Sequence, residues 1–369
     1  MLMDFLMGKL LEESYPEVRK KNCIHINKNS QGCSKCADIC PQKAIKLEAK
    51  KVCFDEKLCN RCGVCKAICP TQAIILKGLG EENILRTIKD KDNIIFSCSK
   101  MGGAGTLKLS CLNAFHTELL AALFILYGDK TFYFNTSKCE NCKEVSNNYS
   151  LLLSSLKKAE DFVKLIGIEP NYEIITIEDD LNNLLNTTIS RRDLLTYIKK
   201  ESGNLAIQTV YAVVSDKNDY LSLRKVLLKA IEEKENLEKK AAVYAVPFLG
   251  SWNVSNSCNG CGVCQSICPE GAWKIEKGEK KLGVSHNAGK CYKCGMCVSL
   301  CPQKAIIDGN VLLGDISIFS LKSEMDLITC PSCNKKFVPI NKDKKQCSIC
   351  EKREALRNKI ACYLDEVRR

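Results

Sequence analysis

Histidine is almost absent from this chain: 369 residues hold three, His25, His116 and His286. None sits in a Ser/His/Asp arrangement, and no GxGxxG follows a strand-like run, so the sequence offers neither a hydrolytic triad nor a dinucleotide fingerprint. Long apolar runs are missing as well. The longest, Leu119 to Tyr127, is nine residues, whereas a membrane-spanning helix takes about 20. A secretory leader is not expected: MLMDFLMGKLLEESYPEVRK carries Asp4 among its apolar residues and lacks a basic n-region and a cleavage site. An amphipathic helix over Met3 to Leu11 is the expectation there. SRRDLL at Ser190 resembles a twin-arginine signal only superficially, having no apolar stretch after it; Ser190 and Asp193 suit a helix N-cap and first-turn acid. The implied location is cytoplasmic, where thiols stay reduced.

What the chain has is cysteine, 26 residues of it, within a composition (45% apolar, 27% charged) that belongs to a folded protein of two to four domains. Most fall in CxxC steps in a long chain, which points to metal ligation and away from a disulfide framework. Three runs are complete: Cys59-x2-Cys62-x2-Cys65-x3-Cys69-Pro70, Cys258-x2-Cys261-x2-Cys264-x3-Cys268-Pro269 and Cys291-x2-Cys294-x2-Cys297-x3-Cys301-Pro302. A fourth, Cys33-x2-Cys36-x3-Cys40-Pro41, lacks its first member. This spacing lets a tight loop turn three thiolates onto one iron–sulfur cubane while the fourth cysteine leaves on a helix toward a neighbouring cluster. Gly63, Gly262 and Gly295 follow the second cysteine of each complete run, where a side chain would intrude. Zinc uses isolated CxxC pairs and has no need of the third and fourth members.

These runs, with their PQKAI and PTQAI tails, closely resemble bacterial two-cluster 4Fe–4S ferredoxins. The resemblance implies ligand sets that cross within each module. Cys258, Cys261, Cys264 and Cys301 would hold one cluster, and Cys291, Cys294, Cys297 and Cys268 another. Cys59, Cys62, Cys65 and Cys40 would hold a third. The fourth site has Cys33, Cys36 and Cys69, with Ser30 where its first cysteine belongs. Cys23 is the favoured fourth ligand; a three-iron cluster or ligation by Ser30, with Cys23 merely packed, are the alternatives.

Between these modules the pattern changes. Strand-like runs at Asn93–Phe96, Leu107–Leu109, Thr131–Phe134 and Tyr172–Ile177 alternate with helix-period stretches (Ala114 to Leu126, and Tyr149 to Ile166), predicting a parallel sheet. Cys98, Cys111, Cys139 and Cys142 all follow strands, on the carboxyl edge where open α/β sheets build their sites. That convergence points to a shared metal site, 2Fe–2S or zinc. The glycines of Met101–Gly105 are no phosphate loop, since no GK[ST] follows, and are expected to let backbone approach a cluster. Residues 93–148 more loosely resemble the delta subunit of methyl-viologen-reducing hydrogenases, a family carrying a 2Fe–2S centre. The chain departs from it in offering only Cys98 where that family has a closer pair.

Cys330-x2-Cys333 and Cys347-x2-Cys350, flanking KKFVPI, suit a structural tetrahedral zinc. The glycine that follows each knuckle in rubredoxin-type iron sites is replaced by Asn334 and Glu351. A charged helix, Glu351 to Arg369, carries Cys362, which is expected to pack, as is Cys53 in the first module. Residues 181–245 hold no ligand and read as a helical spacer, clearest from Leu221 to Lys240.

The expected fold is α+β multidomain: an N-terminal amphipathic helix (1–20), a dicluster ferredoxin module (21–80), a small parallel α/β domain (81–180), a helical connector (181–245), a second dicluster module (246–325) and a zinc ribbon with C-terminal helix (326–369). Four 4Fe–4S clusters, one 2Fe–2S or zinc centre and one structural zinc describe an oxygen-sensitive electron-transfer protein. Its expected role is the wiring subunit of an oxidoreductase complex, with redox partner proteins or a catalytic subunit. A self-contained oxidoreductase and a zinc-ribbon nucleic-acid protein are the alternatives. The formal charge of +12 belongs to the apo chain. Six thiolate-ligated centres at about two negative charges each cancel it, which removes composition as an argument for nucleic acid.

Overall fold

The computed structural model describes residues 15–27, 32–76, 81, 84–85, 88, 93–99, 105–145, 149–181, 222–234, 243–244, 246, 248–312, 316–339 and 344–368. The chain divides into two compact units, residues 1–248 and 249–369. Ser30, Met101 to Ala104, Ser190, Asp193 and the expected helix from Met3 to Leu11 lie outside the described residues.

The first unit opens with strand β1 (Glu17–Val18). The hairpin β2 (Ile45–Glu48) and β3 (Lys51–Phe54) follows, and β4 (Ile74–Ile75) returns to pair antiparallel with β1. Residues 17–20 therefore belong to the cysteine module and not to the N-terminal helix expected over 1–20: the Arg19 amide donates to the Ala73 carbonyl at 2.8 Å, tying this entry segment to the far end of the module. The short helix α1 (Val64–Ile68) carries Cys65 between its ends. Cys53 sits half-buried on β3.

The α/β domain is a parallel sheet of β5 (Asn93–Cys98), β6 (Leu107–Leu109), β7 (Thr131–Asn135) and β8 (Asn171–Ile175), in the order β6-β5-β7-β8. The central strand β5 is continuously apolar and buried over Ile94, Ile95 and Phe96, as a strand covered on both faces should be. The core is aromatic: Phe96, Phe115, Phe132 and Phe134 are fully buried, with Phe96 and Phe115 edge-to-face at 4.9 Å. Helix α2 (Thr117–Leu126) is apolar nearly all round, since it lies between α3 (Ser150–Leu165) and α4 (Leu223–Glu233). The described part of the connector is thus no spacer. Leu223, Leu227, Ala230 and Ile231 of α4 are buried in this domain.

One charged pair fixes that packing. Glu118 on α2, 1% exposed, accepts from Arg224 Nε at 2.9 Å and Nη2 at 2.7 Å. Gln72, three residues after Cys69, adds a third donor at 2.8 Å. A buried carboxylate is tolerable only with such satisfaction.

In the second unit, β9 (Ser251–Val254) pairs with β12 (Ile306–Gly309), repeating the β1–β4 arrangement. Strands β10 (Trp273–Lys277), β11 (Lys281–His286) and β13 (Ser320–Asp326) form an antiparallel sheet, and α5 (Val263–Ile267) and α6 (Met296–Leu300) carry cysteines. A small hairpin, β14 (Ile328–Thr329) with β15 (Lys336–Phe337), leads to α7 (Ser348–Arg368). Cys362 lies on the backbone of α7, its side chain outside the described residues. The hairpin is tied to the sheet by Lys277, which donates to the Lys336 carbonyl at 3.0 Å, and by the Leu327 amide on the Lys280 carbonyl at 2.7 Å. Among the described residues no helix is long and apolar enough to cross a membrane.

Replacing Arg224 by Met strands a buried carboxylate and is expected to destabilise the first unit by about 3–5 kcal/mol. Adding Glu118→Gln restores a large part of this in denaturant unfolding. Equal stability of Arg224→Met and wild type would show that the pair does not hold α4.

Candidate metal centres

The cysteine runs fold alike because their local chemistry is alike. In each complete run the second cysteine is followed by a glycine at positive φ, 83° at Gly63, 82° at Gly262 and 72° at Gly295. That left-handed step, disfavoured for other residues, starts the short helix carrying the third cysteine. At the far end each CP cysteine accepts from the amide four residues on. Ala44 donates to Cys40 Sγ at 3.3 Å, Ala73 to Cys69 at 3.2 Å, Ala272 to Cys268 at 3.2 Å and Ala305 to Cys301 at 3.3 Å. The recurring CPxxA carries this signal in the sequence, but its meaning, an N–H aimed at sulfur, is visible only in the fold.

The result is four cavities, each lined by four cysteines. Cys258, Cys261, Cys264 and Cys301 line one, and Cys268, Cys291, Cys294 and Cys297 another. Cys40, Cys59, Cys62 and Cys65 line a third; Cys23, Cys33, Cys36 and Cys69 line the fourth. At Gly250 an added Cβ would come within 2.6 Å of Cys291 Sγ, so this backbone must stay bare beside the thiol. Burial pushes Cys36 up to about 12, Cys264 to about 11 and Cys291 to about 11, and raises Cys65 further. Such thiols ionise when cations are there to compensate them.

Cys23 reaches its cavity by a route close to that of the other runs, although Ser255, which bonds Ala305 O in the equivalent β9–β12 pair, precedes Cys258 by three residues and not four. The Asp55 amide bonds Ala44 O and Cys59 follows four residues later; Asn287 bonds Ala272 O and Cys291 follows four later. Arg19 bonds Ala73 O, and Cys23 again comes four residues on. Cys23 therefore stands where a first cysteine stands, although its run is interrupted. The next cysteine loop differs, since Ser34 begins a helical turn at φ −119° where the complete runs are left-handed.

The tail cysteines are closer together. Cys330, Cys333, Cys347 and Cys350 have their sulfurs within 4.8 Å of one another, and Cys333 and Cys347 are 3.8 Å apart. A tetrahedron with Zn–S near 2.3 Å has an edge of about 3.8 Å. The Cys347 amide donates to Cys330 Sγ at 3.4 Å and, with the Ser332 and Cys333 amides, holds that thiol down near 6. Asn334 adopts φ 56°, the conformation a glycine would supply there, so the missing glycine does not separate zinc from iron at this knuckle.

The central cysteines converge as two pairs. The Cys111 thiol donates to Cys98 and is raised chiefly by that bond and by burial; Cys98 in turn donates to the Ser110 carbonyl at 3.2 Å. Cys139 is pushed up to about 11 by burial and by the nearby Cys98 and Cys142. Among the described residues the tail set alone gathers three or more sulfurs within 4.8 Å, so the central four spread wider than one tetrahedral ion requires. Gly105 serves packing: its Cβ would meet Ser97 Oγ at 2.6 Å.

The first module abuts this site. Cys62, Val64, Cys111 and Val145 form one buried cluster. Asn60 donates to the Glu144 carbonyl at 3.0 Å and carboxylate at 2.9 Å, and Gln42 donates to the same carbonyl at 3.2 Å. No sequence signal marked this junction.

None of the histidines is placed for catalysis. His25 meets the Glu48 carbonyl at 2.8 Å, and His116 caps α2 by accepting from the Glu118 amide at 3.1 Å. His286 is fully buried against Trp273, and burial followed by the Lys322 charge lowers it from 6.5 to about 4. The folded chain thus keeps His286 neutral where the unfolded chain takes up a proton, and stability must fall as pH drops below 6.5. Between pH 7.5 and 5 this amounts to about 2 kcal/mol. His286→Phe should flatten that dependence in denaturant titrations of the second unit; parallel pH profiles would contradict it.

A family model for a 4Fe–4S dicluster domain matches residues 257–305, which span both complete runs of the second unit. A comparison with curated proteins found no match. The chain therefore carries a 4Fe–4S dicluster ferredoxin domain in its second unit, together with a four-cysteine group at 330–350.

Proposed function

We propose that this chain is a multi-cluster electron-transfer protein, the wiring subunit of an oxidoreductase complex. The observation that carries the reading is the gathering of sixteen cysteines into four similar four-thiol cavities. Each would hold a 4Fe–4S cluster, Cys23 completing the set with Cys33, Cys36 and Cys69. The central pairs, Cys98 with Cys111 and Cys139 with Cys142, would hold a 2Fe–2S centre, whose two irons suit their spread better than one zinc. The tail cysteines would hold structural zinc. Bound clusters supply one-electron chemistry. The chain's own residues fix the thiols, aim amides at them and keep water from the buried ones.

Contact between Cys62 and Cys111 supports a path from the first module into the central centre. A catalytic partner would own the substrate chemistry. Among the described residues the histidine in a cavity wall, His25 at the Cys23 site, is engaged by the Glu48 carbonyl, which favours the wire over a self-contained oxidoreductase.

Anaerobically loaded protein should contain about 18 iron, about 18 sulfide and about one zinc per chain. Clusters that resist reduction in an EPR titration would defeat the reading. Cys23→Ser is expected to cost iron, or to convert one cluster to a three-iron EPR signature. Unchanged iron and EPR would return Cys23 to a packing role.

A further inference from the structure

The chain has two tryptophans, and both lie in the wall of one cavity. Trp252 on β9 and Trp273 on β10 line the space bounded by Cys268, Cys291, Cys294 and Cys297. Trp252 is 7% exposed and Trp273 3%. The Trp252 Nε1–H is buried with no oxygen or nitrogen acceptor among the described residues and faces the Cys291 thiol; the Trp273 indole bonds the Cys297 thiol. His286 packs against Trp273 with ring centroids 4.5 Å apart and the planes tilted by 55°. A buried indole N–H with no oxygen or nitrogen acceptor needs another partner in a folded protein. Here it has a partner if the sulfur it faces is an anionic, metal-bound thiolate.

The sister cavity shows what these positions do without indoles. Val254 and Ile275, each two residues further along the same strands, line the cavity of Cys258, Cys261, Cys264 and Cys301. Ile306, five residues after Cys301 as Trp273 is five after Cys268, lines that cavity as well, so the position equivalent to Trp273 carries no donor there. The two cavities of the first unit have no tryptophan either.

We propose that Trp252 and Trp273 set the reduction potential of the cluster held by Cys268, Cys291, Cys294 and Cys297, drawing the electron toward it through two N–H···S bonds. The inference rests on that cavity holding a 4Fe–4S cluster. Reduction adds one electron to the cluster; no bond forms or breaks, no proton moves, and in the test the electron comes from the titrant. The four-thiolate centre then gains a negative charge, and a donor aimed at its sulfurs stabilises that state more than the oxidised one. Burial of Cys291 and Cys297 works the other way, because loss of water disfavours added charge. The indoles therefore offset a penalty that the sister cluster, with exposed Cys261, does not meet in full. Both are positioning residues that act through the thiolates.

The test is a potentiometric EPR titration of the full-length, anaerobically loaded protein and of Trp252→Phe, Trp273→Phe and the double variant, with iron and sulfide measured on each sample. The expected result is unchanged iron and sulfide, with one midpoint moving negative by about 59 mV per indole removed, a tenfold change in the reduction constant, while the others stay. Should a Phe variant load poorly, replacing both tryptophans biosynthetically by benzothienylalanine keeps the bicyclic shape and removes only the N–H, and the same negative shift is expected. A loaded cluster whose midpoint does not move, or moves positive, overturns the role of the indoles and leaves the electron-transfer reading intact. Wild-type protein lacking the iron for this cavity overturns both.

Discussion

Thiolate charge is the constraint on which the rest of this structure depends. Four thiols around one cavity cannot all ionise unless cations sit among them, and burial raises their pKa values until that happens. Several features near the cavities ease the accumulation of negative charge against that penalty. Amides of Ala44, Ala73, Ala272 and Ala305 point at sulfur, the left-handed glycines bring backbone close, and the basic excess of the chain balances the whole. Because each set takes its fourth thiol from the opposite run of its module, cluster binding ties the module's halves together as well as filling them.

In the first unit the same logic extends beyond the module. Gln72, just after Cys69, joins Glu118 and Arg224, so one buried network links a cysteine run to two helices of the α/β domain. Asn60 and Gln42 converge on Glu144 nearby. Cys62 and Cys111 share one buried cluster with Val64 and Val145 at this junction. A wire needs its centres at fixed separation, and a junction made from satisfied buried polar groups supplies rigidity that apolar packing specifies less sharply.

The parts legible in the sequence were those written in local spacing. Three of the crossed sets are what the ferredoxin resemblance of the CxxCxxCxxxCP runs implied, and the parallel sheet follows from apolar runs alternating with helical periods, its strands falling within two residues of their expected limits. What escaped depends on pairings distant in sequence. Arg19 meets Ala73, which brings Cys23 to its cavity despite the interrupted run and moves residues 17–20 into the module. Arg224 meets Glu118 across 106 positions, turning an expected spacer into a wall of the α/β domain. The indoles could be counted in the sequence but not aimed. Even the glycine missing after the tail knuckle proved uninformative, because Asn334 adopts the same backbone.

The central claim is that the first module and the central cysteines form one electron path through the Cys62–Cys111 contact. The most direct test is the EPR spectrum of the fully reduced protein, with the relaxation of the central signal measured against temperature and microwave power. A 2Fe–2S signal broadened and relaxed quickly by the neighbouring cubane, and absent in Cys111→Ala, is the predicted result. A slowly relaxing, magnetically isolated signal, or central cysteines that bind zinc and give no signal, would contradict the account.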